Sequence, residues 1–289
     1  MRKENKARLM IVVSMAVFGT LAPFVRNIAV SSGELALYRA VLAATLIGAF
    51  LAVTGQKIDA RKLGRDLLLL LLSGVAMGFN WILLFEAYKY TTVSVATLSY
   101  YFAPVIVTVV SPMLFREKLT VKQILCFVMS TIGIVLITGI GEVGGGTDHI
   151  GILFGLSAAV LYATVVLLNK FIKQVEGIHR TFLQFLAAIV VLIPYVALNG
   201  GMTLGNLNGM GWVCLLVVGL IHTGIAYCFY FTALKEVPGQ EAAILSYVDP
   251  LVAVLISVTV LGETMNFWQA LGGVLILGFT LWNELPEKR

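Results

Sequence analysis

The sequence predicts an all-α, polytopic membrane protein whose ten transmembrane helices form two inverted five-helix repeats. Three observations predict it. First, the 289 residues are 59% hydrophobic and only 12% charged, with a mean hydropathy of +0.95. That is about half the charge expected of a soluble domain, and runs such as 67–84 and 121–140 can cross a hydrocarbon core about 30 Å thick. Second, the chain repeats itself at half its length. A shift of 146 positions lays Tyr101, Pro104, Glu117 and Gln123 on Tyr247, Pro250, Glu263 and Gln269. Phe85, Ala87, Lys89, Ala96 and Ser111 also meet identical residues in that register. Ala and Ser matches mean little in so apolar a chain, but a Tyr, a Pro, a Glu and a Gln at kept spacings mark two copies of one unit. Third, of the 20 Lys and Arg residues, seventeen fall in the termini and one alternate set of loops, against Arg26 and Lys89 in the other set.

The spans read in order as 8–28, 34–54, 66–88, 93–114 and 120–141, then 150–171, 180–199, 210–233, 239–261 and 266–283. Polar and turn-forming residues separate them: Gly55-Gln56-Lys57-Ile58-Asp59, Gly144-Gly145-Gly146-Thr147-Asp148, Asn199-Gly200-Gly201 and Val237-Pro238-Gly239. The halves meet near residue 145, giving units 1–145 and 146–289. The first apolar run is too long for a removable signal peptide and lacks a small-residue cleavage pattern. The Lys/Arg asymmetry places both termini in the cytoplasm and the chain in the cytoplasmic membrane. Five spans per half then force the second unit to enter upside down, an arrangement usual in alternating-access transporters, whose substrate sits near the midplane between the repeats.

The early spans repeat more faintly. Ser14-Met15-Ala16-Val17 corresponds to Ser157-Ala158-Ala159-Val160, and the segment from Leu37 to Ala44 faces the segment from Phe182 to Ala188. In that pairing Arg39 answers to Gln184. The net charge of +5 lies in the loops and implies no nucleic-acid partner. Cys126, Cys214 and Cys228 are odd in number, sit in apolar segments and lack metal-type spacing, so they read as small core residues. No cofactor or metal is implied.

Tyr101-Phe102-Ala103-Pro104 followed by Phe115-Arg116-Glu117-Lys118-Leu119, with Val248-Asp249-Pro250 followed by Leu261-Gly262-Glu263, resembles the two EamA repeats of the drug/metabolite transporter superfamily. The ten-span, two-repeat plan of that family covers essentially the whole chain. The resemblance implies a cytoplasmic-membrane carrier of small metabolites, often working outward, with a cavity lined by both halves. It implies no one substrate.

Ionisable groups inside spans are costly in lipid and normally face the bundle interior or a wet cavity. Four stand out: Arg39, Glu86, His222 and Asp249. Arg39 and Glu86 both lie toward the outer leaflet, where they could pair. Arg39 looks like the arginine common at that point of the family, which favours a structural ion pair over substrate contact. A surface pair with Lys89 is the alternative for Glu86. His222 could carry a coupling proton, although a lone helix histidine more often bonds a neighbour. Asp249 precedes Pro250 and could satisfy groups at the proline break or offer a charge to substrate. Asn80, Trp81, Tyr100, Tyr101, Tyr162, Tyr227, Tyr230 and Tyr247 occupy span interiors, whereas membrane Trp and Tyr ordinarily mark the interfaces. Buried phenols need a partner or water, so a polar, aromatic-walled cavity is expected, suited to a cationic or zwitterionic guest. Glu117 and Glu263 lie beside turns at span ends and read as caps rather than transport residues. Gly74-x-x-x-Gly78 and Gly151-x-x-x-Gly155 read as packing devices.

The expected function is secondary transport of a small polar metabolite, with export of amino acids or related compounds preferred over uptake. An intramembrane lipid-modifying enzyme needs a catalytic cluster that the sequence lacks, and no Walker motif supports direct ATP coupling. The expected partners are a small-molecule substrate, the lipid bilayer and a coupling proton, in a monomer or homodimer.

Overall fold

A computed structural model of the chain describes residues 3–56, 58, 60–115, 120–138, 148–175, 177–237 and 239–285. Among these, every regular element is helical. The first span is Lys3–Gly19 continued by Leu21–Arg26, the second Ser32–Val53, the third Ala60–Tyr90. The fourth is broken into Val93–Tyr100 and Ala103–Phe115, and the fifth is Val121–Thr138. In the second half follow Asp148–Phe171, Gly177–Leu198, a three-part eighth span over Gly209–Ala233, a broken ninth of Gly239–Leu245 and Val248–Thr259, and the tenth, Phe267–Glu284. Seven of these are long and apolar enough by themselves to cross a membrane. The 12-residue piece of the ninth rises only about 18 Å, so that span crosses only with its companion helix.

Several span starts are fixed by side-chain caps. Thr120 and Gln123 exchange reciprocal bonds with each other's backbone N–H groups at the start of the fifth span, at 3.2 and 2.9 Å. Asn266 and Gln269 do the same at the start of the tenth, at 2.8 and 3.0 Å. These are capping boxes, and they explain why a glutamine recurs at the 146-residue shift. A third box, Ser31 with Glu34, opens the second span. Glu34 is buried and also accepts bonds from the Thr203 hydroxyl at 2.6 Å, the Thr203 N–H and the Tyr38 hydroxyl at 3.2 Å. It ties the connection after the seventh span to the second.

The packing between halves has a paired pattern. The third span lies along the sixth as the first lies along the eighth; the third meets the seventh as the eighth meets the second. The fourth touches the sixth as the ninth touches the first, while second–seventh, fourth–ninth and fifth–tenth are their own counterparts. Exchanging the halves maps these main contacts onto one another. Close crossings use glycine. A Cβ on Gly78 would meet Leu192 and Ala188 of the seventh span at 3.3–3.4 Å, and one on its repeat counterpart Gly224 would meet Leu46 of the second at 3.1 Å. Gly151 and Gly155 likewise admit Thr91, Ser99 and the Ala96 carbonyl. These glycines therefore pack helices within the chain.

Cys126, Cys214 and Cys228 are free and buried. Leu67, Leu68, Leu71 and Leu72 are exposed, as are Leu251, Leu255 and Val258, the surface that a bilayer would cover.

Candidate functional site

The two proline breaks build the site. In the fourth span the helical ladder tightens at Phe102 N–H to Ser99 O (3.2 Å) and Val105 N–H to Phe102 O (3.0 Å), just ahead of and behind Pro104, which has no donor. In the ninth, Tyr247 N–H to Ile244 O and Asp249 N–H to Ser246 O, both 3.2 Å, make the same local tightening before Pro250. Each break turns a tyrosine inward. The Tyr101 hydroxyl donates to Asp249 Oδ2 at 2.6 Å, so the two breaks are joined across the halves.

Between the halves lies a cavity of about 430 Å³. Eight of the ten residues expected at the site line it: Arg39, Asn80, Trp81, Tyr100, Tyr101, Tyr227, Tyr247 and Asp249. Tyr162 and Tyr230 complete the aromatic wall. Their rings pack edge-on or tilted: Tyr100 against Tyr101 at 5.9 Å and Tyr162 at 5.5 Å, Tyr227 against Phe18 at 5.1 Å and Phe185 at 5.5 Å. Such pairs fix ring orientation beyond what area burial alone would do. Asn80 holds its wall in place, its amide nitrogen donating to Ala158 O of the sixth span at 2.6 Å.

Glu86 and His222 stand elsewhere. Glu86 sits one turn from Lys89 and pairs with it at 2.9 Å, at the partly exposed end of the third span. The expected Arg39–Glu86 pair does not form: Arg39 points to the interior and Glu86 to the surface. His222 is buried behind the cavity wall, 3.0 Å from the Thr20 hydroxyl and against the Phe24 ring.

Arg39, only 5% exposed, is held by a residue not singled out from the sequence. Its Nε donates to Thr223 Oγ1 at 2.7 Å, and its guanidinium lies over Trp81 at 4.7 Å and near Phe85 at 5.7 Å. Thr223 is set by a π-helical stretch, Val217–Ile225, in which its hydroxyl reaches back five residues to Val218 O. π-Turns are rare and cluster at functional sites. The only sequence signal for this one is the pair Gly219 and Gly224 around it.

The cavity is asymmetric along the bundle axis. Toward the end that carries both termini it runs past Thr108, Val166, Tyr230 and Ser246 as far as the partly exposed Glu284. Toward the opposite end it stops at Tyr88 and Thr97. Beyond them lies a polar clamp centred on Glu263, which is only 11% exposed. Its carboxylate pairs with Arg26 at 2.5 Å, accepts the Val93 N–H at 2.8 Å, and accepts the Ser257 hydroxyl. Ser94 donates to Ser257 at 2.7 Å, and Arg26 reaches the Tyr88 and Thr91 carbonyls at 3.3 Å. One carboxylate thus caps the fourth span and locks it to the first and ninth, the capping role expected for it. Its repeat counterpart Glu117 lies outside the described residues. At the termini end, Ser111, the counterpart of Ser257, accepts instead from Lys170 at 2.6 Å.

Comparison with known proteins gives a concordant picture. The model of the EamA-like transporter family matches residues 5–139 and again 149–283. An uncharacterized transporter of Bacillus subtilis, YxxF, is 30% identical over 95% of this chain and 88% of its own length. One from Archaeoglobus fulgidus is 31% identical over 95% of each chain, and one from Clostridium kluyveri is 26% identical over 95% and 92%. A crystal structure covering 95% of both chains aligns with a TM-score of 0.65 at 18% identity, a likeness of fold.

Proposed function

The chain belongs to the EamA-like transporter family and is a multi-pass membrane transporter, and from that premise we propose that it carries a small polar metabolite across the cytoplasmic membrane by alternating access. The observation that carries this reading is the central cavity, which ends at Tyr88 and Thr97 on one side, with the Glu263 clamp beyond them, and reaches Glu284 on the other. The moving bodies in this proposal are the units 1–145 and 146–289, whose main mutual contacts map onto one another when the halves are exchanged. A site between two such bodies is exposed to either side by rocking one against the other.

The Lys/Arg imbalance supports cytoplasmic termini, so the conformation seen here loads from the cytoplasm. Labelling intact cells with a membrane-impermeant thiol reagent is expected to modify Asn199→Cys and spare Lys235→Cys; the reverse pattern would overturn this orientation. Export of amino acids or related compounds fits a cavity that offers both a guanidinium and a carboxylate within aromatic walls. The proton is the coupling ion we propose. Purified protein in proteoliposomes is expected to release loaded amino acids, and an opposing pH gradient should speed release several-fold. Release that ignores the gradient removes the proton, uptake without release reverses the direction, and no movement of any metabolite removes the carrier reading.

A further inference from the structure

We propose that Arg39 is a substrate-anchoring residue: its two terminal guanidinium nitrogens take the carboxylate of the cargo, a direct ion-pair partner that no described residue supplies. The inference rests on the carrier reading above and adds to it the group that is recognised and the residue that recognises it.

The starting point is a count of donors. A guanidinium carries five N–H donors in a planar fork and is always charged. Arg39 spends one of them, on Nε, in its bond to Thr223. Among the described residues the four on its terminal nitrogens find no acceptor, and no carboxylate comes within 4.0 Å of them. The side chain forms part of the cavity wall. A cation in a membrane interior without an acid beside it is an expensive arrangement. Water in the cavity lowers that cost while the site is empty.

The surroundings hold the fork in one pose. Thr223 fixes Nε, and the guanidinium carbon lies over the Trp81 ring, 4.7 Å from its centre. A planar fork fixed on its Nε side and backed by an aromatic face offers its terminal nitrogens for two parallel bonds, the geometry a carboxylate accepts. A lysine at this position would give a point charge without the fork. The one carboxylate deep in the same cavity, Asp249, is already bonded to Tyr101 and does not reach Arg39. Its oxygens accept hydrogen bonds and suit a cargo with a donor group, such as an ammonium, at its other end. Carboxylates are the class the fork reads.

The test uses the full chain in proteoliposomes loaded with three pools: the twenty amino acids, the amines left by removing their carboxyl groups, and the acids left by removing their amino groups. Efflux of each component is read by mass spectrometry. Carboxylate-bearing compounds are expected to leave at least about tenfold faster than their matched amines. Arg39→Gln is expected to cut carboxylate efflux by roughly 30-fold or more, the range for truncating one partner of a buried hydrogen-bonded charge pair. Arg39→Lys should fall between. Thermal melting without cargo separates anchoring from scaffolding: removing an unpaired charge should leave the melting temperature of Arg39→Gln at or above that of the parent. A preference for the amines, retained carboxylate efflux in Arg39→Gln, or a variant that melts well below the parent or fails to fold would each overturn the assignment. No efflux from any pool in the parent protein would instead overturn the carrier reading, and the anchoring role with it.

Discussion

Glu263→Gln is expected to unlatch the end of the bundle opposite the termini. The carboxylate it removes serves three groups at once: the Arg26 guanidinium, the Val93 N–H and the Ser257 hydroxyl. A fully exposed ion pair would contribute little, but Glu263 is 11% exposed, and the loss strands Arg26 beside the Tyr88 and Thr91 carbonyls. Breaking such a pair by removing one partner costs about 3 kcal/mol. Where the clamp exists only in the conformation closed at this end, that energy shifts the balance between closed and open states by about 100-fold. Thr97→Cys, at the closed tip of the cavity, should then react much faster with an impermeant thiol reagent applied from that end. Arg26→Gln should produce the same gain, and the double variant little more, because the two residues form one unit. Unchanged reactivity in both single variants would show that the clamp is a surface ornament and that the seal lies elsewhere.

The second large effect belongs to the joint between the proline breaks. Tyr101→Phe keeps the ring and its packing on Tyr100 but withdraws the hydroxyl that Asp249 accepts at 2.6 Å. Leaving one buried polar partner unsatisfied costs about 1–3 kcal/mol, here levied on the cavity wall. Flux is expected to fall about tenfold, and Asp249→Asn to fall similarly. Because the two groups act through one bond, the double variant should be scarcely worse than either single one. Glu86→Gln is the control: it removes a charge outside the cavity, one paired with Lys89, and transport should stay within about twofold, as for a surface ion pair. A large loss in Glu86→Gln with none in Tyr101→Phe would move the transport path away from the aromatic cavity. Expression and thermal melting of each variant, measured alongside flux, separate a damaged site from a damaged fold.

What could be read from the chain, and what could not, follows from the range of each signal. Span number, repeat and break positions are local or periodic. Apolar runs of sufficient length, prolines at kept spacing and cap residues three positions apart all leave marks in the sequence, and the structure has a helix, a break or a cap at each described one. Partners across the bundle leave no such mark. Arg39 and Glu86 were legible as buried-depth charges, yet only the helix faces decide that one looks inward and the other outward. His222 and Thr223 are neighbours, about 100° apart on a helix, and the π-turn that aims Thr223 at Arg39 has no clear sequence signature beyond its two glycines. Glu34 lies at the very start of its span and resembles an interfacial residue, although four bonds bury it. Glu284 follows directly on the last span read from the sequence, 266–283, and lines the cavity.

The central claim, a single cavity that opens to the two sides in turn, is met most directly by one reporter cysteine. Met77 lines the cavity from the third span and belongs to a residue type whose replacement is well tolerated. In a chain with Cys126, Cys214 and Cys228 changed to alanine, Met77→Cys should react with an impermeant thiol reagent from the side of the termini, and transported cargo should slow that reaction. Adding Glu263→Gln should make the same cysteine reactive from the opposite side while lowering its reactivity from the first. Reaction from neither side, or equal reaction from both that neither cargo nor the clamp substitution alters, would contradict alternating access through this cavity.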